Sequence, residues 1–333
     1  LDLRSNPGGL LRESVNLVNL FVGKGKTIVS TKGKMEEWDK VHRALNAPVD
    51  PEVPLLVLVN SRSASASEIV SGALQDHDRA VVVGQKTFGK GLVQQTLKLT
   101  YNSQLKVTTA KYYIPSGRCI QTLDYSNRNV DGSVGKVPDS LITEFKTGNG
   151  RSVYDGGGID PDVTMETKVP IIIIGKLLSK LLIFDYSVKY AREHKEIAPP
   201  EEFEISDEEY AKFVEYLADK DYTYITESER QIEELKKVAE KEHYFEDAKE
   251  EYLALKEKLT HKETDDLEKF KPEIKVRLKN EIITRYYFQK GRVRGALGSD
   301  ETVGKAIEIL SDKAVYNAIL SGADVSEVNP GGE

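Results

Sequence analysis

The sequence predicts an α/β fold in its first half and an all-helical fold in its second half. Residues 55–59 and 80–83 are short apolar runs of the length typical of buried strands. Between them, apolar residues recur at helical spacing over residues 66–76, which predicts a strand-helix-strand unit. Residues 97–113 alternate in polarity around the turn residues 102–103, which predicts a β-hairpin. Residues 11–22 carry apolar side chains on one helical face and predict a further helix.

The second half lacks this strand pattern. Residues 171–184 are apolar but fall short of the roughly 20 residues needed to cross a bilayer, and Lys176 and Lys180 interrupt them, so we predict one buried helix. Residues 227–259 are dense in Glu and Lys and predict one long exposed helix. Further helices are predicted over residues 206–217, 271–289 and 302–320. The expected domains are therefore residues 1–167, a helical domain over residues 168–320, and a flexible tail over residues 321–333.

Composition limits the function classes. The 333 residues are enough for two domains with separate cores, and 30% of them are charged, as in soluble proteins. A net charge of −7 offers no electrostatic footprint for nucleic acid. Cys119 is the single cysteine, so an intramolecular disulfide is excluded, while the compartment stays open.

The turn between the first predicted strand and its helix contains four serines. Ser65 lies where the helix begins, and unpaired backbone N–H groups at that end could stabilise an oxyanion. A serine in this place can act as a nucleophile if a base removes its proton. The segment from Ser65 to Glu68 also fits a capping box, in which Ser65 would only satisfy backbone N–H groups. The tetrapeptide alone does not decide between the two interpretations.

Lys90 is the residue best suited to be the base. A lysine acts as a general base only when neutral, and an apolar surrounding favours the neutral amine. Phe88, Leu92 and Val93 could form such a surrounding, and the flanking glycines allow tight backbone geometry. The alternative for a lone lysine between glycines is a solvated loop cation.

Histidine is a poorer choice of base. His77 lies at the far end of the helix that begins beside Ser65, roughly 18 Å away at the helical rise. His42 has no active-site-like surroundings. His194, His243 and His261 lie in charged helical sequence and are expected to be solvated.

Several blocks of sequence, in the same order, resemble the carboxy-terminal processing (tail-specific) proteases. They cover the first half of the chain, to about residue 165. The blocks are Leu1-Asp-Leu-Arg-Ser-Asn-Pro-Gly-Gly-Leu10, Asn60-Ser-Arg-Ser-Ala-Ser-Ala-Ser-Glu68, Gly72-Ala-Leu-Gln-Asp76, Thr87-Phe-Gly-Lys-Gly-Leu-Val-Gln94, Tyr113-Ile-Pro-Ser-Gly-Arg-Cys-Ile-Gln121 and Gly157-Gly-Ile-Asp-Pro-Asp-Val163.

The resemblance implies a serine endopeptidase that cleaves C-terminal regions of proteins through an acyl-enzyme. It implies Ser65 as the nucleophile, Lys90 as the base, and Gln94, one helical turn further on, as the residue holding the lysine. It places the oxyanion hole at the backbone N–H of Ala66 and of either Gly8 or Gly9. It also implies a Clp protease/crotonase-like core of strand-strand-helix units, with no metal or organic cofactor.

The resemblance carries expectations beyond the site. Family members usually have a signal peptide and a PDZ domain before this region, so we expect the chain to be part of a longer periplasmic or cell-envelope protein. Residues 122–156 form an insertion relative to the compact family pattern. Its Asp124, Asp131 and Asp139 match no calcium loop, and we expect a surface excursion. The helical domain is expected to serve docking or homo-oligomerisation, and no nucleic acid partner is expected.

Two functions of other classes stay open. A non-catalytic binding module on the same fold would need neither Ser65 nor Lys90 nor Gln94, so the presence of all three favours the protease. An acyl-CoA-binding crotonase-like enzyme is disfavoured by the pairing of Ser65 with Lys90.

Overall fold

The computed structural model describes residues 1–167 and 169–323. These residues form two compact units. The first contains Leu1–Thr167 together with the segment that begins at Glu301, and the second contains Lys168–Asp300. Helices and strands follow one another in an α/β order to residue 164 and are all helical afterwards, which confirms the predicted fold class.

Strands and helices alternate along the first part of the chain, and helices alone make up the second. The first part comprises α1 (Leu11–Asn19), β1 (Thr27–Gly33), β2 (Lys40–Arg43), β3 (Leu56–Val59), α2 (Ala66–Asp76), β4 (Val81–Gly84), β5 (Leu92–Lys98), β6 (Gln104–Tyr113), β7 (Leu123–Arg128), β8 (Val134–Lys136), β9 (Glu144–Lys146), β10 (Ser152–Tyr154) and β11 (Val163–Thr164). The helices that follow are α3 (Ile172–Ser179), α4 (Leu182–Glu193), α5 (Asp207–Leu217), α6 (Glu227–Lys241), α7 (Lys249–Leu259), α8 (Glu263–Lys269), α9 (Lys271–Leu297), α10 (Glu301–Ser311) and α11 (Lys313–Ser321).

Two sheets organise the first unit. The strands β11, β4 and β3 form a parallel sheet in that order, and β2, β1, β6 and β5 form an antiparallel one. Residues 1–3 run parallel to β3, where the Leu3 N–H donates to the Leu58 carbonyl at 2.9 Å. The predicted strand-helix-strand unit is thus β3-α2-β4, and the predicted hairpin is β5-β6.

Helix α2 lies entirely inside the first unit. All eleven of its residues are buried, and its apolar side chains pack with β1, β3 and α1 in one core. At its last residue, the Asp76 carboxylate forms an ion pair with Arg118 at 2.9 Å, and both side chains are fully buried. A buried carboxylate needs such a partner, and the pair fixes this end of α2 to the segment after β6.

Helices α10 and α11 also belong to the first unit. They pack on β3 and β4, where Ala306, Ile309, Tyr316 and Ile319 cover Leu56, Leu58, Val81 and Val83. The Tyr316 hydroxyl accepts a hydrogen bond from the Leu55 N–H at 2.9 Å. The compact units therefore do not follow the expected boundary at residue 320, because this face of the sheet is apolar and needs a cover. The single helix predicted over residues 302–320 is two helices, and residues 324–333 of the predicted tail lie outside the described part.

The second unit is helical and has its own core. This core contains Ile173, Leu177, Ile183, Phe213 and Ile282, with further side chains of α3, α4, α5, α8 and α9. The apolar segment 171–184 contributes to it, as predicted, but as two helices instead of one. Leu181 adopts a left-handed conformation (φ 58°) and breaks the segment. No helix in residues 1–167 and 169–323 is both long and apolar enough to cross a membrane.

The long helix predicted over residues 227–259 is wrong. The structure contains two helices, α6 and α7, which are separated by a turn over residues 242–248 with His243 at φ 66°. The periodicity continues through the turn, so it does not reveal the break. Of the fifteen residues of α6, Ile232 alone is buried, and the charged face carries short-range ion pairs such as Lys237 with Glu234.

The insertion over residues 122–156 contains two small hairpins, β7-β8 and β9-β10. Asp124 accepts from the Ser126 N–H, and Asp131 accepts from the Ser133 N–H, both at 2.9 Å. These carboxylates therefore organise their own turns. Asp139 begins a short 3₁₀ helix (Asp139–Leu141).

Candidate active site

Ser65 is held in a strained turn at the start of α2. Its φ of 58° lies in the left-handed region, which L-residues other than Asn and Asp seldom adopt. Such strain persists only where surrounding contacts impose it, and it is concentrated at functional sites. A nucleophile on a sharp strand-to-helix turn is presented to substrate in this way.

The three serines of the Ser-Ala-Ser-Ala-Ser segment have different surroundings. Ser63 is fully buried, and its hydroxyl donates to the Leu3 carbonyl at 2.7 Å. Ser67 is also buried and donates to the Asn6 carbonyl at 3.1 Å. Ser65 is partly exposed. Ser63 and Ser67 thus tie the turn to the first residues of the chain, and Ser65 is the one that a substrate can reach.

The loop from Asn6 to Gly9 lies against this turn. A side chain at Gly8 (φ 91°) would come within 2.7 Å of the Ala66 nitrogen, so only glycine fits there. The Gly8 N–H donates to the Asn6 side chain at 2.9 Å. Within the described residues, the N–H groups of Gly9 and Ala66 have no acceptor. The Gly8 N–H is therefore occupied, and the N–H groups of Gly9 and Ala66 remain as available donors.

A small cavity opens next to these donors. It has a volume of about 190 Å³ and is lined largely by apolar groups, among them Leu3, Leu10, Leu17 and Val70, together with Gly9 and Ala66. Leu10 lies at its edge and is 73% exposed. The cavity is large enough for one apolar side chain.

Glu68 connects the serine turn (residues 60–67) to the lysine loop (residues 85–91, between β4 and β5). It is fully buried, and its Oε2 accepts from the Ser65 N–H at 2.7 Å and from the Lys90 N–H at 2.9 Å. Its Oε1 accepts from the Thr87 hydroxyl at 2.6 Å and from the Gly89 N–H at 2.7 Å. Burial raises the pKa of Glu68, although these four hydrogen bonds act in the opposite direction. The structure thereby brings the backbones of Ser65 and Lys90 together on a single carboxylate.

The predicted apolar surroundings of Lys90 are not formed. The Lys90 side chain is exposed, Phe88 is 55% exposed, and Leu92 and Val93 are only half-buried. The lysine loop is held to Glu68 through its backbone, and the Lys90 side chain makes no part of that contact. The prediction that neighbouring residues bury Lys90 is therefore wrong for the described chain.

Gln94 is not one helical turn beyond Lys90, as the resemblance implies. It lies in strand β5, opposite Thr108 and next to an irregularity in the ladder, and its side chain is exposed. The role of Gln94 stays a prediction, but its geometry differs from the one expected.

Thr87 and the Gly157–Val163 block are contributors that the sequence did not identify. The Thr87 hydroxyl accepts from the Ile159 N–H at 2.7 Å while it donates to Glu68. Gly158 (φ 80°) lies so close to Thr87 that a Cβ would be 2.7 Å from its carbonyl oxygen. Residues 157–163 thus contact Thr87 and hold the lysine loop in position. The adjacent glycines of the block were the available signal for this close approach.

His77, His194 and His261 have structural contacts, and the predicted solvation of His194 is wrong because its ring stacks on Tyr190. A ring nitrogen of His77 lies 2.7 Å from the Thr27 carbonyl oxygen. His261 is not solvated as predicted, because its Nδ1 lies 2.9 Å from the Glu229 carboxylate and it is only partly exposed. In residues 1–167 and 169–323 no group of three or more His, Cys, Asp or Glu side chains could hold a metal ion.

These features are typical of a serine-hydrolase site: a strained, accessible serine, the N–H groups of Ala66 and Gly9 without an acceptor among the described residues, and a lysine loop attached to the same turn. Comparison with models of protein families shows which serine hydrolases the chain resembles. Residues 1–126 match the model of peptidase family S41, and residues 173–310 match that of the C-terminal helical domain of probable PDZ-proteases. The chain is therefore similar to the S41 peptidases over residues 1–126 and to that helical domain over residues 173–310, and the predicted resemblance to carboxy-terminal processing proteases is confirmed.

Individual relatives are named as proteases of the same kind. The carboxy-terminal-processing protease of Bartonella bacilliformis is 50% identical over 144 residues, which are 43% of this chain and 30% of the relative. A probable CtpA-like serine protease of Staphylococcus epidermidis is 48% identical over 122 residues, which are 36% of this chain and 24% of the relative. The chain thus matches less than a third of the length of these curated relatives.

One solved structure with detectable similarity is a photosystem II D1 C-terminal processing protease. It is 30% identical and aligns with 50% of this chain and 34% of its own, at a TM-score of 0.37. At that score the superposition has no bearing on the fold.

Proposed function

We propose that the protein is a serine endopeptidase that cleaves C-terminal regions of protein substrates with a dyad of Ser65 and Lys90. The observation that carries the proposal is the different surroundings of the three serines: Ser63 and Ser67 are buried, and their hydroxyls bind backbone carbonyls, whereas Ser65 is accessible on a strained turn. The family match and the attachment of the lysine loop to the same turn support it.

In the proposed mechanism, the Ser65 hydroxyl attacks the scissile carbonyl carbon while its proton passes to the neutral amine of Lys90. The N–H groups of Ala66 and Gly9 stabilise the oxyanion of the tetrahedral intermediate. Lys90 then gives the proton to the leaving amine, and an acyl-enzyme remains on Ser65. Water attacks this ester with Lys90 again as the base, Lys90 returns the proton to the departing Ser65 oxygen, and the second product leaves with a free carboxylate.

The substrate is proposed to bind as an extended peptide. Strand β5 follows the lysine loop and is an edge strand of its sheet in the first unit, so its outer backbone groups are free to pair with a peptide. The cavity beside Ala66 would take an apolar side chain of that peptide. A peptide in this position would also cover Lys90 and exclude water from its amine, which the chain does not do by itself.

A serine-directed fluorophosphonate tests the proposal. We expect the probe to label the protein at Ser65, as mapped by peptide mass spectrometry, and the protein to cleave an unfolded substrate such as casein. Ser65→Ala should abolish both labelling and cleavage. Ser63→Ala and Ser67→Ala should keep the activity per folded molecule, although each loses about 1–3 kcal/mol of stability with its buried hydrogen bond.

Two outcomes would contradict the proposal. Labelling at another residue would move the nucleophile, and casein cleavage by Ser65→Ala at the parent rate would exclude Ser65. The C-terminal preference is tested with two substrates that differ only in their last residues. Equal cleavage rates for the two would leave a peptidase without C-terminal selectivity.

We also propose that the helical unit mediates homo-oligomerisation and that the protein acts in the cell envelope. The support for the first is that α6 and α7 expose Leu235, Val238 and Leu253, each at least half accessible. Multi-angle light scattering of the parent and of Leu235→Lys tests it, since a monomeric parent would exclude it. Cell fractionation tests the location.

A further inference from the structure

The residue with the most unusual surroundings outside the proposed dyad is Glu68. A capping box explains one of its four hydrogen bonds, the one from the Ser65 N–H. The other three come from Thr87, Gly89 and Lys90, about twenty residues further along the chain. A helix cap needs none of these three contacts.

The distribution of the contacts over the two carboxylate oxygens is informative. The Ser65 and Lys90 amides bind the same atom, Oε2, so the two nitrogens are no further apart than the sum of 2.7 and 2.9 Å allows. The second atom, Oε1, holds Thr87 and Gly89. Each oxygen therefore fixes one part of the lysine loop relative to α2.

A carboxylate is the one side-chain group suited to this task. All four partners are donors, and an ionised carboxylate accepts on both oxygens without offering a competing proton. An amide of the same shape has one acceptor oxygen and presents an NH₂ group on the other side, facing two donors. Glu68→Gln is therefore nearly isosteric but breaks two of the four hydrogen bonds.

We infer that Glu68 is a positioning residue, which sets the distance between the Ser65 hydroxyl and the Lys90 amine by holding both backbones. The inference rests on the proposed function of that dyad. Thr87 belongs to the same device, because its hydroxyl binds Glu68 and is itself fixed by the Ile159 N–H. Neither side chain contacts substrate in this proposal, and both act through the backbone of the dyad.

The experiment compares four variants of the 333-residue chain. Glu68→Gln and Thr87→Val remove the connection, whereas Thr87→Ser keeps the hydroxyl. Ser71→Ala is the matched control, because the Ser71 hydroxyl is equally buried in α2 but donates only to backbone carbonyls of the same helix, those of Ser67 and Glu68, and does not touch the Glu68 carboxylate. For each variant, fluorophosphonate titration counts the competent sites, and kcat and KM are measured per site.

We expect Glu68→Gln and Thr87→Val to lower kcat per site by about 100-fold, the cost of misplacing a reacting group by about 1 Å. KM should stay unchanged. Thr87→Ser and Ser71→Ala should keep the parent kcat per site. Amide hydrogen exchange at Gly89 and Lys90 should accelerate in the first two variants only.

Other results would overturn the inference in distinguishable ways. If Glu68→Gln has fewer competent sites but the parent kcat at each, Glu68 only stabilises the fold, and the positioning role is wrong. If Ser71→Ala loses as much kcat as Thr87→Val, the loss reflects general loosening of α2. If the parent is not labelled at Ser65 at all, the proposed dyad fails and the positioning role fails with it.

Discussion

Helices α2 and α6 begin with the same sequence signature and use it differently. Ser65 and Glu68 precede and open α2, and Thr226 and Glu229 stand in the same relation to α6. At α6 the cap has ordinary geometry: Thr226 has a φ of −73°, its hydroxyl accepts from the Glu229 N–H, and Glu229 accepts from the Thr226 N–H at 2.8 Å. At α2 the cap residue has a φ of 58°, and Glu68 directs most of its hydrogen bonds to a distant loop.

Burial makes the difference. Glu229 is partly exposed and binds its own cap and His261, whereas Glu68 has no exposed surface and must be satisfied by protein donors alone. The same four-residue motif thus caps the helix at α6, where the glutamate is partly exposed. At α2, where the glutamate is buried, it also connects the helix to the lysine loop. In this chain the strained cap with the buried glutamate is the one at the proposed site, and the cap with ordinary geometry lies in the helical unit.

Lys90 offers the largest expected effect. Lys90→Arg keeps the positive charge but cannot supply a neutral base, so we expect kcat to fall by about 10²–10⁴-fold, as with Lys90→Ala. The matched change in the helical unit, Lys256→Arg in α7, where the lysine pairs with Glu233 of α6, should leave kcat unaltered. An active Lys90→Arg variant would make the lysine loop structural, and the contrast between the two caps would lose its functional meaning.

The ion pair at the C-terminal end of α2 allows us to test how much it contributes to the stability of the protein. Asp76→Asn leaves the Arg118 guanidinium buried without its counter-charge, and we expect it to lower the free energy of unfolding by about 3–5 kcal/mol. Urea denaturation measures the change. The double variant Asp76→Asn with Arg118→Met should be less destabilised than the sum of the single changes. A fully additive pair would show that the two side chains do not stabilise each other.

The strained cap itself predicts a smaller effect. Both Ser65→Gly and Ser65→Ala should be inactive, but glycine tolerates a φ of 58° without strain. We expect Ser65→Gly to be more stable than Ser65→Ala by about 1–2 kcal/mol. At Thr226, with its ordinary geometry, Ala and Gly should differ by less than this. Equal thermal midpoints for the two Ser65 variants would place the strain elsewhere.

The two glutamates should respond to pH with opposite signs. Burial raises the pKa of Glu68, so the folded state loses stability as pH rises from about 4.3, the ordinary value, to the folded-state pKa. Burial also tends to raise the pKa of Glu229, but hydrogen bonds from Thr226 and His261 outweigh this effect and lower the pKa. The stability that Glu229 contributes is therefore lost as pH falls through its folded-state pKa.

Equilibrium unfolding of the parent, Glu68→Gln and Glu229→Gln across the acid range measures this contrast. The stability advantage of the parent over Glu68→Gln should shrink as pH rises. Its advantage over Glu229→Gln should grow over the same range. Slopes of the same sign would show that the two carboxylates have similar surroundings in solution.

Much of the site could be predicted because its residues lie in contiguous blocks. The strand, the serine turn, helix α2 and the next strand follow one another without interruption, so local periodicity locates Ser65 at the start of the helix. The partners of Glu68 could not be predicted in this way. Its contacts with Thr87 and Gly89 depend on how the lysine loop returns to α2, and no local pattern encodes that return.

The errors in the helical regions have a related cause. Periodicity identifies an apolar face but neither where the chain reverses nor what the face packs against. It therefore did not reveal the break at Leu181 or the turn between α6 and α7. It also did not show that α10 and α11 cover β3 and β4. The exposure of Lys90 was missed because apolar neighbours in sequence need not be neighbours in space.

The packing of α10 and α11 on β3 and β4 has a consequence for the synthesis of the protein. The Tyr316 hydroxyl that binds Leu55 is synthesised 261 residues after it. At about 5–20 residues per second, a ribosome needs on the order of 10–50 s for that interval. The apolar face of β3 and β4 therefore stays uncovered by these helices throughout that time, and the whole second unit emerges in the meantime. Of the two units, the first therefore begins to be synthesised before the second and is completed after it.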